Sequence, residues 1–197
     1  MKRKLCGLLL ILALIICTNG CKRTVSIDLP DDTTSESQKE YPEFIEPSNN
    51  HIEVWAPQDK YDEIKKCVEE FLKLDVMYSE FEITVEEYSV SEATEAMIED
   101  VELGSDLYFY MLSDQERLIE IGGLYIYENK YFNRLTQDLD ENVIDAILYE
   151  GEVYGCPVDT ENSEQIQMIG VRPQTEQTRA LVCIDLMEYI AKEMDVR

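Results

Sequence analysis

Between Ile52 and Gly123 the chain switches three times from a short strand-like run to an amphipathic helical one, and this rhythm restricts the fold more than any other feature. In HIEVWAP, Ile52 and Val54 alternate with polar neighbours until Pro57 interrupts, which predicts a strand. DKYDEIKKCVEEFLKL then sets Tyr61, Ile64, Cys67, Val68, Phe71, Leu72 and Leu74 on one helical face. EFEITVEEYS opposes Phe81, Ile83 and Val85 to Glu82, Thr84 and Glu86, the pattern of a strand with one exposed face at a sheet edge. SVSEATEAMIEDVELG has Ser89 and Glu92 at capping-box spacing, apolar Val90, Ala93, Met97 and Val101, and Gly104 placed to end the helix. DLYFYML is apolar nearly throughout, as a strand covered on both faces must be. In SDQERLIEIGG, Ser113 and Glu116 predict a second capping box, and Gly122 and Gly123 a helix end.

Three such alternations imply a parallel sheet with right-handed crossovers. Ligands of such sheets bind beyond the carboxyl ends of the strands, so WAPQDK, YSVSE and MLSDQ are the loops where a site is expected. LTQDLDENVIDAIL adds a helix with Leu139, Val143 and Ile147 on one side, and EGEVYGCPV a further strand.

The amino-terminal segment is of another kind. Lys2, Arg3 and Lys4 precede an apolar run over residues 5–17 that is too short for a mature membrane span, which predicts a secretory signal. It closes on TNGC and resembles a bacterial lipoprotein signal, with Gly20 before the cleavage point and the Cys21 thiol receiving the lipid. Residues 22–50, rich in Ser, Thr, Asp, Glu and Pro, read as a disordered tether with a coil span of roughly 30 Å. The formal charge of −25 grows more negative once Lys2, Arg3 and Lys4 are removed. Such a surface repels phosphate backbones and anionic headgroups, so nucleic acid is not an expected partner and membrane attachment is expected through lipid.

Little in the chain suggests catalysis. Of six cysteines, Cys6 and Cys17 lie in the signal and Cys21 is the lipid site. Cys67, Cys156 and Cys183 remain, an odd set that allows at most one disulfide and reads best as small buried hydrophobes. A single histidine, His51, rules out a metal cluster built on several histidines. The acidic runs DLPDD and QDLDEN lack calcium-loop spacing and its glycine. No metal or cofactor is expected. A glycosidase built on paired carboxylates such as Asp114 and Glu161 is the weakest reading, because acids are abundant by composition alone.

The segments EVWAPQDKYDEIKKCVEEF, GSDLYFYMLSDQERLIEIGGL and ENVIDAILYEGEVYGCPVDTEN together resemble, in order and spacing, the first lobe of the extracellular solute-binding proteins of ABC transporters, especially the oligosaccharide and maltodextrin type. The resemblance covers residues 51–162. It implies an α/β fold: a three-layer, periplasmic-binding-protein-like lobe of type II with a mainly parallel sheet. It implies sugar-hydroxyl contacts for Asp59 and Lys60, and for Asp114, which stands at the offset from Gly123 where maltodextrin binders carry a sugar-binding acid. Asp159 and Glu161 follow at the crossover, and Trp55 is a candidate stacking platform. Met111 stands where those binders use an aromatic and Gln115 where they use Arg, which implies a changed specificity. Carboxylates accepting paired hydroxyls beside an aromatic face suit a pyranose. Each residue also has a plainer reading. Trp55 can be core, Asp59 a helix N-cap, Lys60 a solvated first-turn residue, and Asp114 and Gln115 first-turn residues of a capped helix.

Residues 163–197 resemble a late part of the same proteins, where a strand returns and a helix follows; Leu181, Ile184, Met187, Ala191 and Met194 form the predicted helical face. Most of a second lobe is therefore expected to be absent between about Ser163 and Ile169. The organisation expected is a signal over 1–20, a lipidated tether over 21–50, a first lobe over 51–162 and a crossover remnant with strand and helix over 163–197. The expected function is non-enzymatic: a lipid-anchored, extracytoplasmic component that binds an oligosaccharide for an ABC permease. A protein-binding or structural lipoprotein that keeps one lobe is the second expectation.

Overall fold

The computed structural model describes residues 49–127, 134, 136, 139–160 and 165–195. The signal, Cys21, most of the tether and Glu161 lie outside the described residues. The chain runs through β1 (His51–Ala56), α1 (Tyr61–Phe71), a short α2 (Val76–Ser79), β2 (Glu82–Glu87), α3 (Val90–Glu99) and β3 (Leu107–Met111). It continues through α4 (Gln115–Glu120), α5 (Glu141–Ile147), β4 (Cys156–Asp159), β5 (Gln167–Val171) and the long α6 (Gln177–Asp195).

The strands form one sheet in the order β2-β1-β3-β5-β4. β1 is parallel to β2, with Ile52 opposite Ile83 and Val54 opposite Val85, and parallel to β3, with Trp55 opposite Tyr108. β5 is antiparallel to both β3 and β4. Two antiparallel steps restore direction, so β4 runs the same way as β1, β2 and β3. The sheet is mainly parallel, and the one reversed strand is wedged beside β3. β2 is an edge strand, as its alternation implied.

Strand alternation divides the core into two layers. On one face Ile52, Val54, Leu107, Phe109, Ile169 and Val171 pack with Ile64, Cys67, Val68 and Phe71 of α1 and with Val182, Cys183, Leu186, Met187 and Ile190 of α6. On the other, Trp55, Tyr108, Tyr110 and Met168 pack with Ala93 and Met97 of α3, Leu118 of α4 and Ile147 of α5. β3 is buried on both faces because Leu107 and Phe109 serve one layer and Tyr108 and Tyr110 the other. The result is the three-layer α/β arrangement of a periplasmic-binding-protein lobe.

Several local expectations change. The Ser89–Glu92 capping box forms in full, but α3 stops at Glu99, before Gly104. Asp100 turns extended and its carboxylate accepts from the Glu102 backbone N–H, starting a 3₁₀ turn over Val101–Leu103. Gly104 ends that turn, and a Cβ there would lie 2.1 Å from the Met97 Sδ. The second capping box, Ser113 with Glu116, does not form. Leu112–Asp114 already winds as a 3₁₀ turn and Asp114 holds helical angles at the N-cap, leaving Ser113 without the extended backbone a cap needs. Gly122, at φ 72°, follows α4 in the left-handed region, where a side chain is disfavoured. Leu181 is only half-buried, and the core stripe of α6 begins at Val182 and Cys183. Arg179 sets this register by pairing with Asp106 from the first turn of α6. Cys67, Cys156 and Cys183 are buried free thiols.

Candidate functional site

Because four strands share one direction, their carboxyl ends and the start of β5 lie along one edge of the sheet. Met111 and Asp159 are both in register with Gln167, so β3, β5 and β4 contribute three adjacent residues there. The β1–α1 turn adds Asp59, exposed, and Lys60, half-exposed. The turn is closed by the Lys60 backbone N–H donating to the Pro57 carbonyl at 3.0 Å. Lys60 occupies the N-cap with no side-chain cap bond, so Asp59 does not serve as the cap.

Asp114 follows β3 on the same edge. Its Oδ1 accepts from Arg117 Nη1 at 3.3 Å, and Arg117 Nη2 lies 3.6 Å from Glu95 Oε1 on α3. Arg117 therefore pairs with the Asp114 carboxylate. Sequence reasoning passed over this residue, although its i,i+3 spacing from Asp114 was the available signal. Asp59, Lys60, Met111, Asp114 and Asp159 are thus all at the carboxyl edge, an edge rich in acceptors, with Lys60 and Gln167 among its donors.

Two proposed contacts are elsewhere. Gln115 is buried, on the inward side of α4, where its Oε1 accepts from the Tyr110 hydroxyl at 3.3 Å and its Nε2 donates to the Ile147 carbonyl at 3.2 Å. Both ends of the amide are engaged, so Gln115 joins β3 to α5 and presents nothing to a ligand. Burial pushes the Tyr110 hydroxyl well above the usual tyrosine range, which keeps its proton in this bond. Trp55 is 5% exposed, stacked on Tyr88 with centroids 4.2 Å apart and planes at 16°, and its indole N–H donates to Glu53. It is a core residue, as its plainer reading had it, because position 55 of β1 points into the α3 layer. It lines a cavity of about 530 Å³ together with Tyr88, Ala96, Glu99, Asp100 and Leu103. This cavity runs along α3, from Trp55 and Tyr88 near the carboxyl ends of β1 and β2 to Glu99, Asp100 and Leu103 at the far end of the helix.

The arrangement offers hydrogen-bond acceptance more than bond chemistry. Burial raises the Cys156 and Cys183 thiols far above the usual cysteine range, which keeps them protonated and unreactive. Among the described residues no cluster of His, Cys, Asp or Glu is placed to hold a metal ion, and no helix is long and apolar enough to cross a membrane.

No protein-family model matches the chain, and no curated protein does. Solved structures do match. One, determined with acarbose, superposes with a TM-score of 0.51 at 20% identity, over 55% of this chain and 30% of its own. The maltodextrin-binding protein of L. casei BL23, solved without ligand, superposes with a TM-score of 0.50 at 13% identity, over 56% of this chain and 30% of its own. At such identities the likeness is one of fold. The chain spans about 30% of the length of each of these structures.

Proposed function

We propose that the chain is a lipid-anchored, extracytoplasmic component that binds a carbohydrate at the carboxyl edge of its sheet and serves an ABC import system. The observation that carries this reading is the convergence of Asp59, Lys60, Met111, Asp114 and Asp159 on one edge, from three separate segments of the chain. Carboxylates accept hydrogen bonds from neighbouring hydroxyls, and Lys60 donates in return. The likeness in fold to a maltodextrin-binding protein supports the same ligand class. Glu161, just beyond the crossover, completes the set in this reading, and lipid on Cys21 holds the domain at the membrane, where a permease takes the sugar on.

An open edge covers only part of a ligand. Pockets that bind tightly bury most of it, so affinity is expected near 1 mM, corresponding to about −4 kcal/mol. Calorimetric titration of the full chain with linear and branched oligosaccharides tests the binding. Saturable heat that disappears in Asp114→Ala and Asp59→Ala supports it; no heat in a folded protein rejects it. Fatty-acid labelling compared with Cys21→Ala tests the anchor.

A second reading, a protein-binding lipoprotein that keeps one lobe, is favoured by the burial of Trp55 and Gln115, which deprives the edge of an aromatic platform.

A further inference from the structure

The cavity beside Trp55 lies on the α3 face of the sheet and differs in chemistry from the carboxyl edge. It is lined by the stacked Trp55–Tyr88 pair and by Ala96. Glu99 and Asp100 border it from the end of α3, and Leu103, 80% exposed, stands on the 3₁₀ turn beyond. At about 530 Å³ it is large enough for a small organic ligand.

The hydrogen-bonding character of the lining selects the ligand. Trp55 has one N–H, and it already donates to Glu53. Ala96 and Leu103 have no polar side-chain atoms. Glu99 and Asp100 are acceptors, and neither forms an ion pair with a cation among the described residues. Asp100 spends one oxygen on the Glu102 N–H and keeps the other. Among these lining side chains, that leaves the Tyr88 hydroxyl as donor. A sugar, whose hydroxyls need donors as well as acceptors, is poorly matched. A guanidinium or ammonium group has donors and no acceptor. It gains from two carboxylates and from an aromatic face, and the surplus negative charge of the chain draws it in. The chain already uses the same pairing elsewhere, with Lys65 Nζ 5.9 Å from the Tyr61 ring centroid.

We propose that this cavity binds a small guanidinium or alkylammonium ligand, its cation seated between the Trp55–Tyr88 pair and the carboxylates of Glu99 and Asp100. The proposal is independent of sugar binding at the carboxyl edge.

The test is titration of the full chain with arginine methyl ester, followed by calorimetry and by the fluorescence of Trp55, the one tryptophan. Saturable binding that changes Trp55 emission is expected. It weakens about tenfold or more in Glu99→Gln/Asp100→Asn, where Asn still caps Glu102, and is unchanged in the remote control Glu141→Gln. Nα-Acetylcitrulline methyl ester, of like shape but carrying no cation at all, is expected to bind at least about tenfold more weakly. No saturable binding to protein shown to be folded by circular dichroism overturns the proposal. Equal affinity in the double variant, or for the citrulline ester, overturns it too.

Discussion

Arg179 Nη2 lies 2.6 Å from Asp106 Oδ2, joining the first turn of α6 to the residue that precedes β3. Asp106 is 2% exposed and also takes Arg172 Nη2 at 3.1 Å, Gln174 Nε2 at 2.9 Å and the Glu53 backbone N–H at 2.9 Å. One carboxylate thereby fixes β1, β3, the end of β5 and α6. Asp106→Ala leaves two arginines without their shared partner, and removing one side of a buried pair costs about 3 kcal/mol or more. Denaturant unfolding is expected to show that loss, with Arg179→Lys losing less than Arg179→Ala.

Gly155 sits where β4 begins, and a Cβ there would lie 2.6 Å from the Ile169 carbonyl oxygen and 2.7 Å from the Tyr110 Oη. One of these contacts is backbone and cannot swing aside. Gly155→Ala is expected to lower stability by about 1–3 kcal/mol in the same assay. Gly151→Ala meets no neighbour but carries the strain of φ 85°, so it is expected to cost about 1 kcal/mol.

The Ser89 hydroxyl and backbone N–H hold the Glu92 carboxyl below the usual glutamate range. A depressed folded-state value means that the cap contributes at pH above the unfolded value and fades as pH falls through the folded one. The stability gap between the native chain and Ser89→Ala is therefore expected to be full at neutral pH and to narrow under acid. A gap independent of pH contradicts the capping account.

Cys67, Cys156 and Cys183 are expected to resist alkylation at neutral pH and to react together once the chain is unfolded. Peptide mapping after iodoacetamide, with and without denaturant, reads this out. For Cys67, burial and then Glu193 raise the thiol, which adds to the protection.

How much of this was visible in the sequence follows from what each signal depends on. Hydrophobic period is local, so β1, α1, β2, α3 and β3 were legible. The single capping residue Ser89 was equally so, with its partner three positions away. Asp106 was not, because its partners at 172, 174 and 179 are far along the chain and nothing local marks a buried acid. The insertion of β5 between β3 and β4 is likewise set by pairing across the sheet. At the site, loops after strands were correctly placed at one edge, since topology dictates that. Gln115 and Trp55 were misassigned to it because one turn of helix, or one step of a strand, decides which layer a side chain enters.

This geometry also separates the two binding readings. Trp55 faces the α3 layer, so a sugar at the carboxyl edge is expected to leave its fluorescence unchanged, whereas a bound cation in the α3 cavity alters it.

The most direct measurement is amide NMR of the isotope-labelled full chain during titration with an oligosaccharide. The account predicts saturable shifts confined to the turn at 57–60, residues 111–114 and the end of β4 at Asp159, with α6 unmoved. Shifts elsewhere alone, or none in a folded protein at ligand concentrations well above about 1 mM, would contradict it.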